Sequence, residues 1–236
     1  PATSSSCYVP AVEPDVPGSS TSLTRDDWYS DLIDLPFPFR FYDDPTPYTQ
    51  LLVSTNGYIC FDPAVESEFS HFGILAGSFG LSATSGTPQD LPSTLYDRSV
   101  IFGPYHDIDP GANTSPNTLI KYDVLGSAPN RRFVLSFYKV PLFGTPTFGC
   151  DTLYENTHQI ALYEGTNVIE VYLKSVQQCE GWNQGRAMVG IQNYNRNKGI
   201  VAPGRAASDE PWGTTNMNEC WRFTPSGGPS LLHSVK

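Results

Sequence analysis

At 236 residues the chain is long enough to close one large β-domain around its own core. Fourteen basic against twenty-four acidic residues give a net charge of −10 with no basic run, which excludes a protein that grips nucleic-acid phosphates. No stretch nears the ~18 apolar residues of a membrane-spanning helix, and 20 glycines with 21 prolines favour short strands and turns over long helices.

Residues 1–21, rich in Ser, Pro and Thr and without periodicity, are expected to run as an extended arm over the surface of a mature or trimmed chain. Residues 22–225 read as a single domain. Near its start Thr24 offers a helix cap, so residues 24–30 are expected to make one helical turn. Residues 35–42 then alternate, with Phe37, Phe39 and Phe41 on one face and Pro38, Arg40 and Tyr42 on the other. That is a strand buried on one side, and the missing N–H of Pro38 places it at or near a sheet edge. The chain turns after Asp43 and returns along residues 50–54. Asn56-Gly57, two residues that tolerate positive φ, predict a tight hairpin into residues 58–61.

Residues 62–97 carry Gly73, Gly77, Gly80 and Gly86 with no sustained alternation. Their apolar part, 69–79, is expected to pack as a lid over one end of the sheets. Strands follow at 99–105, 118–125, 132–140, 158–164 and 167–174, the last two joined by Gly165-Thr166, and again at 187–194 and 219–224. Ile160 and Leu162 facing away from Gln159, Ala161 and Tyr163 is the pattern of a half-buried antiparallel strand. Together these elements predict an all-β antiparallel sandwich with long end loops and little helix. Residues 226–236, with Gly227-Gly228-Pro229, read as a linker or tail.

The densest polar cluster, His106, Asp107 and Asp109, follows the strand at 99–105 and is closed by Pro110-Gly111. In extended backbone Asp107 and Asp109 share a face and repel each other. Two readings are open: a calcium ion held by the hard oxygens of Asp107, Asp109 and Asn113, or carboxylates capping backbone N–H groups at the Pro-Gly turn. His106 reads as a packed residue rather than a ligand. Two carboxylates on one face, with no third group to shift either proton affinity, do not make a glycosidase pair. Nucleophile elbow, phosphate loop and zinc-protease signatures are absent, and His71, His106, His158 and His233 are scattered, so no enzymatic activity is expected. Trp182 and Trp212 lie in polar loops and, with Tyr194, are candidates for a platform that stacks on sugar rings; the alternative is that they plug an end of the sandwich. Trp221, on a predicted strand, belongs to the core. None of the five cysteines forms a close C-x-x-C pair, which argues against a zinc or redox site.

Three phrases, Ser54-Thr55-Asn56-Gly57-Tyr58-Ile59-Cys60-Phe61, His106-Asp107-Ile108-Asp109-Pro110 and Ile169-Glu170-Val171-Tyr172, resemble the NIDO domain of nidogen-like extracellular proteins. Leu35-Pro36-Phe37-Pro38-Phe39-Arg40-Phe41-Tyr42, Val189-Gly190-Ile191-Gln192-Asn193-Tyr194 and Asn218-Glu219-Cys220-Trp221-Arg222-Phe223 look like the amino-terminal module of large Bacteroidota surface proteins. Those proteins are associated with gliding motility and exported by the type nine secretion system. The resemblance implies a secreted, cell-surface module of adhesion or surface assembly, with surface polysaccharide, proteins or its own copies as partners. Alternatives are a filament or stalk subunit joined through the N-terminal arm, with the 35–42 strand as acceptor edge, and a glycan-binding or glycan-processing protein. The resemblance also implies a Cys150–Cys179 disulfide, since the family tends to carry cysteines at both places. Cys60 and Cys220 stand where it more often has small residues, and a second bridge between them is expected, leaving Cys7 over. Asp151-Thr152-Leu153 resembles the O-glycan acceptor of that phylum, which marks Thr152 for glycosylation.

Overall fold

The computed structural model describes residues 19–225, apart from 22, 43, 77–84, 113–117, 145–147 and 151–153, together with 229–233. The strands in chain order are β1 Ser19–Ser20, β2 Ile33–Phe39, β3 Tyr48–Ser54, β4 Tyr58–Cys60, β5 Leu75–Ala76, β6 Thr87–Pro88, β7 Val100–Tyr105 and β8 Leu119–Leu125. They continue with β9 Arg132–Pro141, β10 Glu155–Tyr163, β11 Ile169–Ser175, β12 Met188–Gln192, β13 Gly199–Val201, β14 Glu219–Phe223 and β15 Pro229–His233. Two antiparallel sheets stack face to face. One has seven strands in the order β1-β8-β9-β10-β11-β14-β15, the other six in the order β13-β12-β7-β4-β3-β2, and β5 and β6 form a separate ribbon.

Period-two alternation sets which side chains meet between the sheets. Ile33, Leu35, Phe37 and Phe39 of β2 are buried while Asp34 and Pro38 are exposed, and Pro38 sits on the edge strand of the six-stranded sheet. Facing them are Phe133, Leu135 and Phe137 of β9, Ile160 and Leu162 of β10 and Val171 and Leu173 of β11, all in one core. Each such side chain contributes ~1.5–3 kcal/mol of burial. Gly103 lets β7 press on the opposite sheet: a Cβ there would lie 2.9 Å from Val171.

The hairpin at Asn56-Gly57 exists, with a different loop from the one expected. Ser54 pairs with Tyr58, so three residues turn the chain, and of these only Gly57 has positive φ, at 84°. Three-residue hairpins end in a left-handed residue, which glycine supplies. Close approach requires it too, since a Cβ on Gly57 would stand 2.4 Å from the carbonyl oxygen of Pro104. Asn56 is thereby freed to turn its side chain inward.

Four expectations change. Residues 24–30 form no helix; they turn at Asp26 and Asp27, and Trp28 and Tyr29 make β-bridges to Phe69 and Ser54, because extended pairing satisfies their backbone where one helical turn would not. The apolar part of 62–97 covers the outer face of the six-stranded sheet rather than a sandwich end. Its Ile74, Leu75, Leu91 and Tyr96 pack on Leu52, Tyr58, Val100, Phe102 and Met188, so these strands are apolar on both faces. Residues 229–233, inside the expected linker, form β15 along β14. At the other edge the end of the expected arm, Ser19–Ser20, pairs with Tyr122 and Lys121 of β8.

Candidate functional site

Asp107, Ile108 and Asp109 leave β7 and attach to the end of β9. Asp109 N–H donates to the Pro141 carbonyl at 2.9 Å, Phe143 N–H to the Asp107 carbonyl at 3.0 Å, and Ile108 bridges Leu142. Ile108 enters the core, so both carboxylates point the other way, as the alternation predicts. Their surroundings differ. Asp107 is only 2% exposed, whereas Asp109 is half-buried and caps the Pro-Gly turn, its Oδ1 accepting Gly111 N–H at 2.7 Å.

Two further carboxylates come to Asp107 from the turn at residues 25–27, far away in sequence. One oxygen each of Asp26, Asp27 and Asp107 lies within 4.8 Å of the other two. Asn56, fully buried at the hairpin tip, is the organiser. Its amide donates to Asp27 Oδ1 at 2.7 Å and to the His71 carbonyl at 3.2 Å, while its Oδ1 accepts Ile108 N–H at 3.1 Å. A fourth arm is Trp182, whose Nε1–H donates to Asp107 Oδ2 at 2.7 Å. Its ring packs on Phe148 and Phe143, with centroids 4.5 and 5.0 Å away. The Cys150–Cys179 disulfide ties together the two loops that carry Phe148 and Trp182.

The electrostatics are those of crowded like charges. Burial, then the charges of Asp27 and Asp109, pushes Asp26 up to about 7. Burial raises Asp27 to about 6 against the stabilising Asn56 bond. Asp107 is pushed well above the usual carboxylate range by burial and by Asp27 and Asp26, with only the Trp182 bond prominent in favour of the anion. Asp109 is raised by burial. The other buried acids are treated differently: Glu170 is paired with Arg222, and Glu219 with Arg205 at 2.5 Å. Among the described residues no such ion pair reaches Asp107. Arg186, on the wall of the small cavity beside it, spends its guanidinium on the carbonyls of Ser208 and Asp209. Two imidazoles complete this end. His106 is 2% exposed and lowered to about 3 by burial, and His158, stacked on Phe137 at 4.4 Å, is lowered well below its ordinary value.

The expected site residues fall as follows. Asp107 and Asp109 share a face; Asn113 and Thr152 lie outside the described residues. Asp26 and Asp27 are what sequence reasoning missed, since two adjacent acids after Arg25 were absorbed into a helical turn. Trp182, Trp212 and Tyr194 do not gather into a platform. Trp182 binds Asp107; Trp212 donates to the Ala187 carbonyl at 3.1 Å beneath Arg205; Tyr194, 42% exposed, meets Arg98. Each is held by a different loop, which linear spacing does not reveal. The expected Cys60–Cys220 bridge is also corrected. Cys60 is a free, buried thiol packed on the outer face of β4 under the 62–97 segment. Cys220 lies on the outer face of the opposite sheet and is disulfide-bonded, with a partner outside the described residues. Both cysteines alternate with core residues and so point away from the space between the sheets.

A family model described as NIDO related matches residues 2–225. No curated protein and no solved structure matches the chain.

Proposed function

The chain belongs to the NIDO-related family, and from that premise we propose that it is a non-catalytic module of an exported protein, acting by surface contact in adhesion or extracellular assembly. The observation that carries this reading is the Cys150–Cys179 disulfide, which braces the acidic end of the sandwich. Such bonds persist in oxidising, extracytoplasmic settings. The phrases quoted above extend the proposal to a Bacteroidota cell-surface protein of the gliding-motility type, exported by type nine secretion. Because Trp182 and Trp212 are spent on internal contacts, contact over a broad protein surface is favoured over stacking on sugar rings.

A second reading has one observation in its favour. Ser19–Ser20 pair as a short edge strand on β8, and an edge of this kind is where strands of neighbouring copies can exchange, so the module would then assemble into filaments.

Surface biotinylation of intact producing cells, with competition of their adhesion by the purified module, tests the first reading. Labelling and competition are expected; an unlabelled intracellular protein that competes for nothing sinks it. Deleting residues 1–20 discriminates the second, because light scattering should then lose polymers while the monomer keeps its circular dichroism.

A further inference from the structure

We propose that Asp26, Asp27 and Asp107, with Asp109 as outer support, form a calcium-binding site at this end of the sandwich. The inference stands apart from what the module adheres to. Three observations carry it. Two oxygens bound to one calcium ion at about 2.4 Å can be at most ~4.8 Å apart, and one oxygen of each of the three aspartates satisfies that limit with respect to both others. Asp107, 2% exposed, and Asp26 each keep one buried oxygen, Oδ1, without a hydrogen-bond partner. Buried carboxylate oxygens left unmatched are costly, and native proteins match them with donors, a counter-charge or a metal. Glu170 and Glu219 each have an arginine in this same molecule, so the fold compensates buried acids by pairing; at Asp107 no described residue supplies the counter-charge.

The donor set selects the ion class. Carboxylate oxygens are hard ligands suited to calcium, magnesium or manganese, and no described cysteine belongs to the cluster. Calcium is favoured because it accepts irregular shells of six to eight oxygens, whereas magnesium demands a near-ideal octahedron. The ligands come from two separate segments, a turn and the end of β7, whose spacing is fixed by Asn56 rather than by a contiguous loop. Bound calcium would pin the 25–27 turn to the β7–β9 junction and relieve the repulsion between them.

The experiment compares the whole chain, stripped with chelator and dialysed at pH 7.5, with the same chain titrated with calcium chloride, by calorimetry and by thermal melting. Calcium at roughly 100-fold above its Kd should raise Tm by ~5 °C or more, and magnesium should do less. Asp107→Asn keeps an oxygen for Trp182 while removing the charge. Without calcium it should melt no lower than the stripped wild type, and it should lose the calcium shift. Asp26→Asn should lose most of the shift as well. No heat and no shift in the wild type up to 10-millimolar-scale calcium overturns the site, and so does a shift that persists in both variants. A calcium-free Asp107→Asn protein that melts far below the stripped wild type would instead make Asp107 a structural acceptor, and the proposal would fall.

Discussion

The two ends of the sandwich solve the same closure problem in opposite ways. At one end Asp26, Asp27, Asp107 and Asp109 crowd around a hairpin tip, braced by a disulfide and an indole. At the other a crevice of about 270 Å³ opens between the sheets, lined by Phe41, Ile169, Ile191, Ile200 and Phe223 under Arg40 and Asn167. There the polar groups find one another: Asn167 Oδ1 accepts Arg40 N–H at 2.8 Å, and Tyr42 O–H donates to the Ile191 carbonyl at 2.9 Å. The crevice end is lined by apolar side chains, and these polar groups are hydrogen-bonded to one another, so ions are expected to matter little there. The acidic end leaves buried oxygens of Asp26 and Asp107 without a partner among the described residues, so on the calcium proposal its stability should respond to what the solvent supplies. The difference lies in which chemistry each set of loops must neutralise, since the same sheets support both.

Removing the staple should have the largest effect. Cys179→Ser opens a bridge between residues 29 apart, and urea unfolding should show a loss of about 3 kcal/mol. The calcium shift should shrink with it. An undiminished shift would show that the acidic end holds its geometry without the bond, and the contrast between the ends would rest on charge alone.

The next effect comes from pH. His158 is buried against Phe137, with His106 nearby, and its folded-state pKa lies well below 6.5. The unfolded chain therefore takes up a proton that the folded chain refuses, so this contribution is complete above pH ~6.5 and declines as pH falls below it. The loss should be readable as a falling Tm between about pH 6.5 and pH 5. His158→Phe should flatten this loss, read as the difference between the two proteins' melting curves at fixed calcium. If the two fall in parallel, His158 is not held neutral.

The smallest effect belongs to the crevice end. Tyr42→Phe deletes the bond to the Ile191 carbonyl and should cost about 1 kcal/mol. Its calcium shift should equal that of the wild type. A changed shift would mean that the two ends are coupled through the core, and the comparison would have to be abandoned.

Much of this was legible beforehand for physical reasons. Burial on one face imposes alternation, so Phe37, Phe39 and Phe41 announce their strand and its face; Ile160 and Leu162 announce a strand too, but β10 is buried on both faces rather than one. A left-handed backbone position asks for glycine, so Asn56-Gly57 announces a hairpin, though not its loop length. The strands with apolar residues on both faces were harder to place, because Leu52, Tyr58 and Phe102 reveal that something covers them without saying what. Here it is the 62–97 segment, which lacks periodicity of its own.

By itself the sequence determined an all-β antiparallel sandwich and the shared face of Asp107 and Asp109, because each follows from local geometry repeated every two residues, and it put β2 at or near a sheet edge because Pro38 lacks an N–H. Only the tertiary structure decided that Asp26 and Asp27 meet Asp107, that Trp182 turns inward to hold it, and that Cys60 and Cys220 lie on opposite outer faces. Those outcomes depend on which loops meet at a sandwich end and which sheet a strand joins. Neither is written in the spacing of residues along the chain, since the meeting points are separated by up to 80 or so positions and are fixed by packing and by hydrogen bonds such as those of Asn56.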